Sequence, residues 1–140
     1  MIAGTSLLVA TKAHADTDDD KKFVATATQS DINEIKLSQL AQQKATNPAV
    51  KAFADKWSIT IATDLDQDHK DVYKKLSGLS GADFDKEYID QMVSDHAKAL
   101  DAFTDEAKDT ADAKLRAAVL KGKTMIAAHK NMAYDLKKKL

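Results

Sequence analysis

The sequence predicts an all-α domain, an up-and-down bundle of four helices, and three observations carry that expectation. Apolar residues recur at three- and four-residue spacing through four long stretches, which is the signature of one helix face. Alanine and lysine, both good helix formers, are abundant, whereas the 140 residues include a single proline and only four glycines. The stretches have matched lengths of about 25 to 30 residues, roughly 40 Å each, and short turns join them, as antiparallel neighbours in a bundle require.

The polar run Asp16 to Lys22 leads into the first helix, whose inward stripe reads Phe23, Ala27, Ser30, Glu34, Leu37 and Ala41. Thr46-Asn47-Pro48 stops it and starts the next, with Asn47 as N-cap and Pro48 at the first helical position. Val50, Phe53, Ala54 and Trp57 continue an apolar stripe as far as Ser58 to Thr63. There Ile59, Thr60, Ile61 and Thr63 are β-branched and lose rotamer freedom in a helix, so the second helix is expected to kink or split. A strand at that place would have nothing to pair with.

Leu65, His69, Val72 and Leu76 resume the stripe and end at Leu76-Ser77-Gly78-Leu79-Ser80-Gly81, whose glycines suit a helix C-terminus. A third helix is expected from Ala82 to Asp109, striped by Ile89, Met92, His96, Ala99, Leu100 and Phe103. The fourth runs from Ala111 almost to the end through Leu115, Val119, Met125, Ile126, His129, Met132, Ala133 and Leu136.

Residues 1–15 read as a secretory signal, leaving 16–140 as the bundle. Ile2 to Ala10 is a short apolar run, and Ala13-His14-Ala15 places small residues where a signal peptidase reads them. No later segment has the apolar length of a membrane-spanning helix. Cysteine is absent, which excludes disulfides, thiolate metal sites and a cysteine nucleophile. Twelve Lys/Arg face twenty-one Asp/Glu from Asp16 to Ala113, but eight face one from Lys114 to Leu140. Lysines near a helix C-terminus complement its dipole, and an acidic remainder can neutralise the others, so no nucleic-acid partner is expected.

Catalytic motifs are missing: there is no phosphate-cradling glycine loop, nucleophile elbow, H-E-x-x-H, or E-x-x-H pair of the di-iron bundles. What stands out is one metal-capable side chain on each stripe, namely Glu34, His69, His96 and His129. Three imidazoles and a carboxylate at one level would suit a divalent transition metal such as iron, zinc or copper. Asp68 and Asp95 each precede one of these histidines and are candidates for supporting bonds to a neighbouring helix's ring. The competing expectation is a metal-free polar network of separately satisfied core residues. If 48–77 formed one straight helix, Asp68 would turn inward and His69 to the flank; a kink restores His69.

Phe23-Val24-Ala25, Asn33-Glu34-Ile35-Lys36-Leu37-Ser38-Gln39-Leu40-Ala41, Val50-Lys51-Ala52-Phe53-Ala54, Leu79-Ser80-Gly81-Ala82-Asp83-Phe84-Asp85-Lys86-Glu87-Tyr88 and Met92-Val93-Ser94-Asp95-His96 together resemble a bacterial family. It is the exported ferritin-like domain of unknown function 4142, often labelled a predicted outer membrane protein. The resemblance implies a ferritin-like four-helix bundle and a periplasmic or envelope location. It also implies an M-x-x-D-H on the second and third helices and a histidine on the fourth. Met92 to His96 and His129 match; on the second helix the expected Asp-His falls on Thr60-Ile61, and Leu65 to His69 fits only after extra residues. The expected role is structural or interactive in the envelope, through envelope or homo-oligomeric contacts and without catalysis. The alternative is a metal-binding or metal-dependent redox protein built on the Glu/His set.

Overall fold

The structure is a computed structural model that describes the backbone of residues 6–55 and 64–140 and the side chains of 18–52 and 64–140. The described residues form five helices and no strand: α1 (Ser6–Lys44), α2 (Pro48–Asp55), α3 (Gln67–Ser77), α4 (Gly81–Asp109) and α5 (Ala113–Lys137). The second helix, expected to kink or split, is represented by two separate helices: residues 64–66 before α3 are not helical, and α3 does not prolong α2 but runs parallel to α1, with Asn33 bonded to Asp66 and Lys44 to the Ser77 carbonyl. The β-branched run Ser58 to Thr63 and Trp57 lie outside the described residues, as do the side chains of Phe53 and Ala54. α1 runs unbroken across Ala15 and Asp16, where the expected signal would end. No described helix is long and apolar enough to cross a membrane.

Local chemistry sets the helix ends. The Asn47 side chain accepts from the Ala49 N–H at 2.9 Å, and Pro48 opens α2, where its missing N–H costs nothing. Asp66 caps α3 by accepting the His69 N–H, and Asp112 caps α5 by accepting the Lys114 and Leu115 N–H groups. At the other end of α4, the Arg116 guanidinium donates to the carbonyls of Ala107 and Thr110, satisfying acceptors that a helix C-terminus leaves open. The glycine of the α3–α4 turn that needs its freedom is Gly81, at φ +58 on entry to α4; Gly78, where α3 ends, is right-handed.

α4 is the element on which α1, α3 and α5 converge. Arg116 against Ala107, Gly122 against Phe103, His129 against His96 and Lys137 against Asp90 set α5 antiparallel to α4. Phe23 against Phe103, Glu34 against His96 and Ser38 against Tyr88 set α1 antiparallel to it as well. α2 packs on α1 and α5, while α3 packs on α1 and α4. The core comprises Leu37, Leu40, Ala41, Val50, Leu76, Phe84, Tyr88, Ile89, Met92 and Ala133. Two expected stripe members face out instead: Ser30 is exposed and Met125 is half exposed at 50%.

Two close contacts fix the packing. Asp85, 2% exposed, accepts from the Thr46 N–H at 3.0 Å, the Thr46 hydroxyl at 2.6 Å and the Asn47 N–H at 2.7 Å, so a carboxylate of α4 clasps the α1–α2 turn. Gly122 faces Phe103, whose Cε1 would lie 2.5 Å from an added Cβ. The ring has little room to retreat because Phe23 abuts it edge-on at 4.9 Å.

Asp85→Ala should destabilise the fold by about 2–3 kcal/mol in urea titrations, since it removes several charge-assisted bonds to the α1–α2 turn. Gly122→Ala should cost about 1 kcal/mol net, because an overpacking penalty of about 1–3 kcal/mol outweighs alanine's helix advantage of about 1 kcal/mol. A Gly122→Ala chain as stable as the parent would show that the α4–α5 contact yields freely.

Candidate metal centre

Glu34 on α1, His96 on α4 and His129 on α5 come together in the interior, with one ligand atom from each lying within 4.8 Å of the others. The helical register accounts for this. Glu34 is one turn from Ser38 and Leu37 on the inward face of α1, and His96 is one turn beyond Met92 on that of α4. His129 is one turn before Ala133 on α5, and its ring meets that of His96 edge-on at 5.7 Å.

The His96 ring is held in a defined state. Its Nδ1–H donates to the Met92 carbonyl at 2.8 Å, which aims Nε2 at Glu34 Oε1, 3.3 Å away. Both facing atoms are shielded from solvent. Burial pulls the imidazole's pKa down, but the Glu34 carboxylate, the Met92 carbonyl and the charge of Asp95 together raise it above the ordinary value. A ring anchored at Nδ1 by a backbone carbonyl, with Nε2 pointed at an acid, is also the posture of a metal-bound histidine.

His69 is not in this cluster. Its Nδ1 lies 2.8 Å from Asp66 Oδ1 and 3.0 Å from Asn33 Nδ2, and its Nε2 lies 3.3 Å from Asp95 Oδ2. With an acid at each nitrogen, the ring acts as a double donor, and the Asn33 amide cannot also donate to Nδ1. Asn33 is bonded to Asp66 regardless, giving its N–H to Oδ2 at 2.6 Å and accepting the Asp66 backbone N–H at 3.2 Å. Gln91 holds both oxygens of Asp95, at 2.9 and 3.0 Å. Asp95 thus bonds the histidine of a neighbouring helix, although not one of the clustered rings. Asp68 is exposed, because the break before α3 turns His69 inward in its place.

Sequence patterning does not mark Asn33, Asp66 or Gln91 as partners of these rings. The Asp66-x-x-His69 spacing, a side chain capping the third residue on, is the one local signal. The contacts to Asn33 and Asp95 span 36 and 26 residues and leave no local trace. A shallow groove lined by Lys36, Asp64, Leu65, Lys70 and Tyr73 shares no residue with either network.

Three groups make stability depend on pH with the same sign. The hydrogen bonds that the ring donates to Asp95 and Asp66 raise the His69 pKa against the opposing effect of burial, and the His96 pKa is raised as described. Burial, then Asp20, Asp109 and Asp19, push the Glu106 carboxyl up to about 7. A raised folded value contributes stability that is fully present below the unfolded value and lost as pH rises through the folded one. The unfolded values are near 4.5 for Glu106 and 6.5 for the histidines. Urea midpoints should therefore fall from about pH 5 to above pH 7, and fall less steeply in Asp95→Asn and Glu106→Gln. A midpoint that rises across that range would contradict these environments.

Comparison with known proteins places the chain by sequence. No significant match was found among curated proteins or among solved structures. A family match does cover residues 6–58 and 54–136, which together hold α1 to α4 and nearly all of α5, including Glu34, His96 and His129. The chain belongs to the DUF4142 family, a domain of unknown function.

Proposed function

We propose that this protein is an exported, ferritin-like helical bundle that holds one divalent transition metal ion on Glu34, His96 and His129. The observation that carries the reading is the meeting of one carboxylate and two imidazoles from three separate helices within 4.8 Å. Such a set suits iron or zinc, and copper less well, since a hard carboxylate accompanies the imidazoles. It fits a single ion: no second carboxylate joins the group among the described residues, so the two-metal chemistry of di-iron bundles finds no bridging ligands here. What the chain supplies is a fixed donor set, with His96 oriented by the Met92 carbonyl.

The ferritin-like assignment is supported by the cyclic neighbour order, in which α1, α2, α5 and α4 each pack on the next. Export rests on the apolar run Ile2 to Ala10 and on Ala13-His14-Ala15.

A second reading, a metal-free envelope protein of structural or interaction role, is favoured by the 3.3 Å approach of His96 Nε2 to Glu34 Oε1. An imidazolium–carboxylate pair satisfies those atoms without an ion. Elemental analysis of untagged protein incubated with iron(II), zinc or cobalt(II) separates the two. The metal reading expects one ion per chain, lost in His96→Ala and His129→Ala and weakened at least about 100-fold in Glu34→Ala. No metal retained by folded wild-type protein leaves the ion-pair reading standing.

A further inference from the structure

Metal sites divide by whether the protein closes the coordination sphere. Closed, four-ligand sites are structural, whereas sites with three protein ligands keep a position for a molecule from outside. Three ligands converge here, and among the described residues His69, Asp95 and Tyr88 are each bonded elsewhere.

His69 is the nearest of these in kind, since it is the remaining imidazole of the four-residue set that the sequence suggests. Both of its ring nitrogens face carboxylates, at 2.8 and 3.3 Å, and the Asp66 partner also caps α3. Drawing His69 to the cluster would break both contacts and loosen the start of that helix. Asp95 adjoins His96 in sequence, yet both of its oxygens are held by Gln91 and one also by His69. The Tyr88 hydroxyl is paired with Ser38 at 2.9 Å, and burial raises its pKa well above the ordinary value, so it resists conversion to a phenolate ligand. Met92 lies fully buried in the apolar core beside Leu37 and Tyr88. The remaining histidine, His14, sits twenty residues before Glu34 on α1, about 30 Å along the axis.

Exposure gives the cluster a direction. The His96 side chain is 3% exposed, Glu34 is 22% exposed, and His129 is partly exposed. The cluster therefore has a buried floor at α4 and reaches towards solvent on the Glu34 and His129 side.

Resting on the metal reading above, we infer that the ion keeps a coordination position that no side chain among the described residues fills, open to a small anionic ligand and taken by water when that ligand is absent. The step is ligand exchange, in which water leaves as the anion enters and no bond within the anion is broken. An ion carrying two neutral imidazoles and one carboxylate retains net positive charge, which favours an anion over a neutral molecule.

Cobalt(II), whose visible bands report coordination, supplies the test, with azide as the anionic probe. Untagged full-length protein is loaded with cobalt(II), freed of excess metal and titrated with azide. The expected result is one cobalt per chain and a saturable change in the visible bands at one azide per cobalt. His69→Ala and the milder His69→Gln should retain both properties within about threefold, with helix content checked by circular dichroism. Bound cobalt whose spectrum ignores azide overturns the open position while leaving the metal reading intact. Tenfold weaker cobalt binding in both folded His69 variants, with no azide response in the parent, would identify His69 as the fourth ligand and overturn it equally. No cobalt uptake by folded wild-type protein removes the metal reading and this inference together.

Discussion

The structure depends on one constraint: polar groups placed on the inward face of α4 must find their partners on other helices. Asp85, Tyr88 and His96 interrupt a stripe otherwise made of Phe84, Ile89 and Met92, and all three are at most 3% exposed. Leaving any of them without partners would cost a few kcal/mol, a large fraction of the stability of a domain this size. Each is answered at a different height: Asp85 by the α1–α2 turn, Tyr88 by Ser38, and His96 by Glu34 and its own Met92 carbonyl. Apolar burial alone would tolerate α1 sliding along α4 by a turn. Three polar matches along the same interface do not, and they hold Glu34 level with His96.

The two inward histidines illustrate how different surroundings direct the same side chain. His96 has one nitrogen fixed by a backbone carbonyl and the other turned to a carboxylate, beside a second imidazole. His69 is enclosed by acids on both sides and ties α1, α3 and α4 together through Asn33, Asp66 and Asp95. α3 needs that tie. It is an eleven-residue helix with Leu76 as its single buried residue, too little apolar burial to hold it by hydrophobic contact alone. A polar latch takes over part of that role, and its strength consequently depends on the charge of one ring.

Glu34, His96 and His129 make a compact donor set whose metal-free form is already a sensible structure. A carboxylate opposite an imidazolium can stay charged in the interior, and an incoming divalent ion would displace the ring's proton and take its place. Affinity for metal would then rise with pH over the range in which the metal-free fold loses stability. The two tendencies share one origin, the competition between a proton and a cation for the same nitrogen.

The sequence by itself determined the helices and most of their inward faces, because helix periodicity and capping are local: Asn47-Pro48 starts α2, and Leu37, Ile89, Met92 and Val119 are inward as their spacing requires. It also determined that Glu34, His96 and His129 lie along interior stripes, since each has apolar neighbours one turn away. It misplaced Ser30 and Met125 because a place on the apolar stripe does not bury a residue unless another helix covers it at that height, and it could not separate His69 from the other three. Only the tertiary structure decided that separation. Residues 64–66 break the second helix and Asp66 caps α3, which sets the rotation of that helix, and partners 26 and 36 residues away then claim the ring. Which of four equivalent-looking candidate side chains meet rests on relative helix height and rotation, quantities fixed by long-range packing that no local pattern encodes.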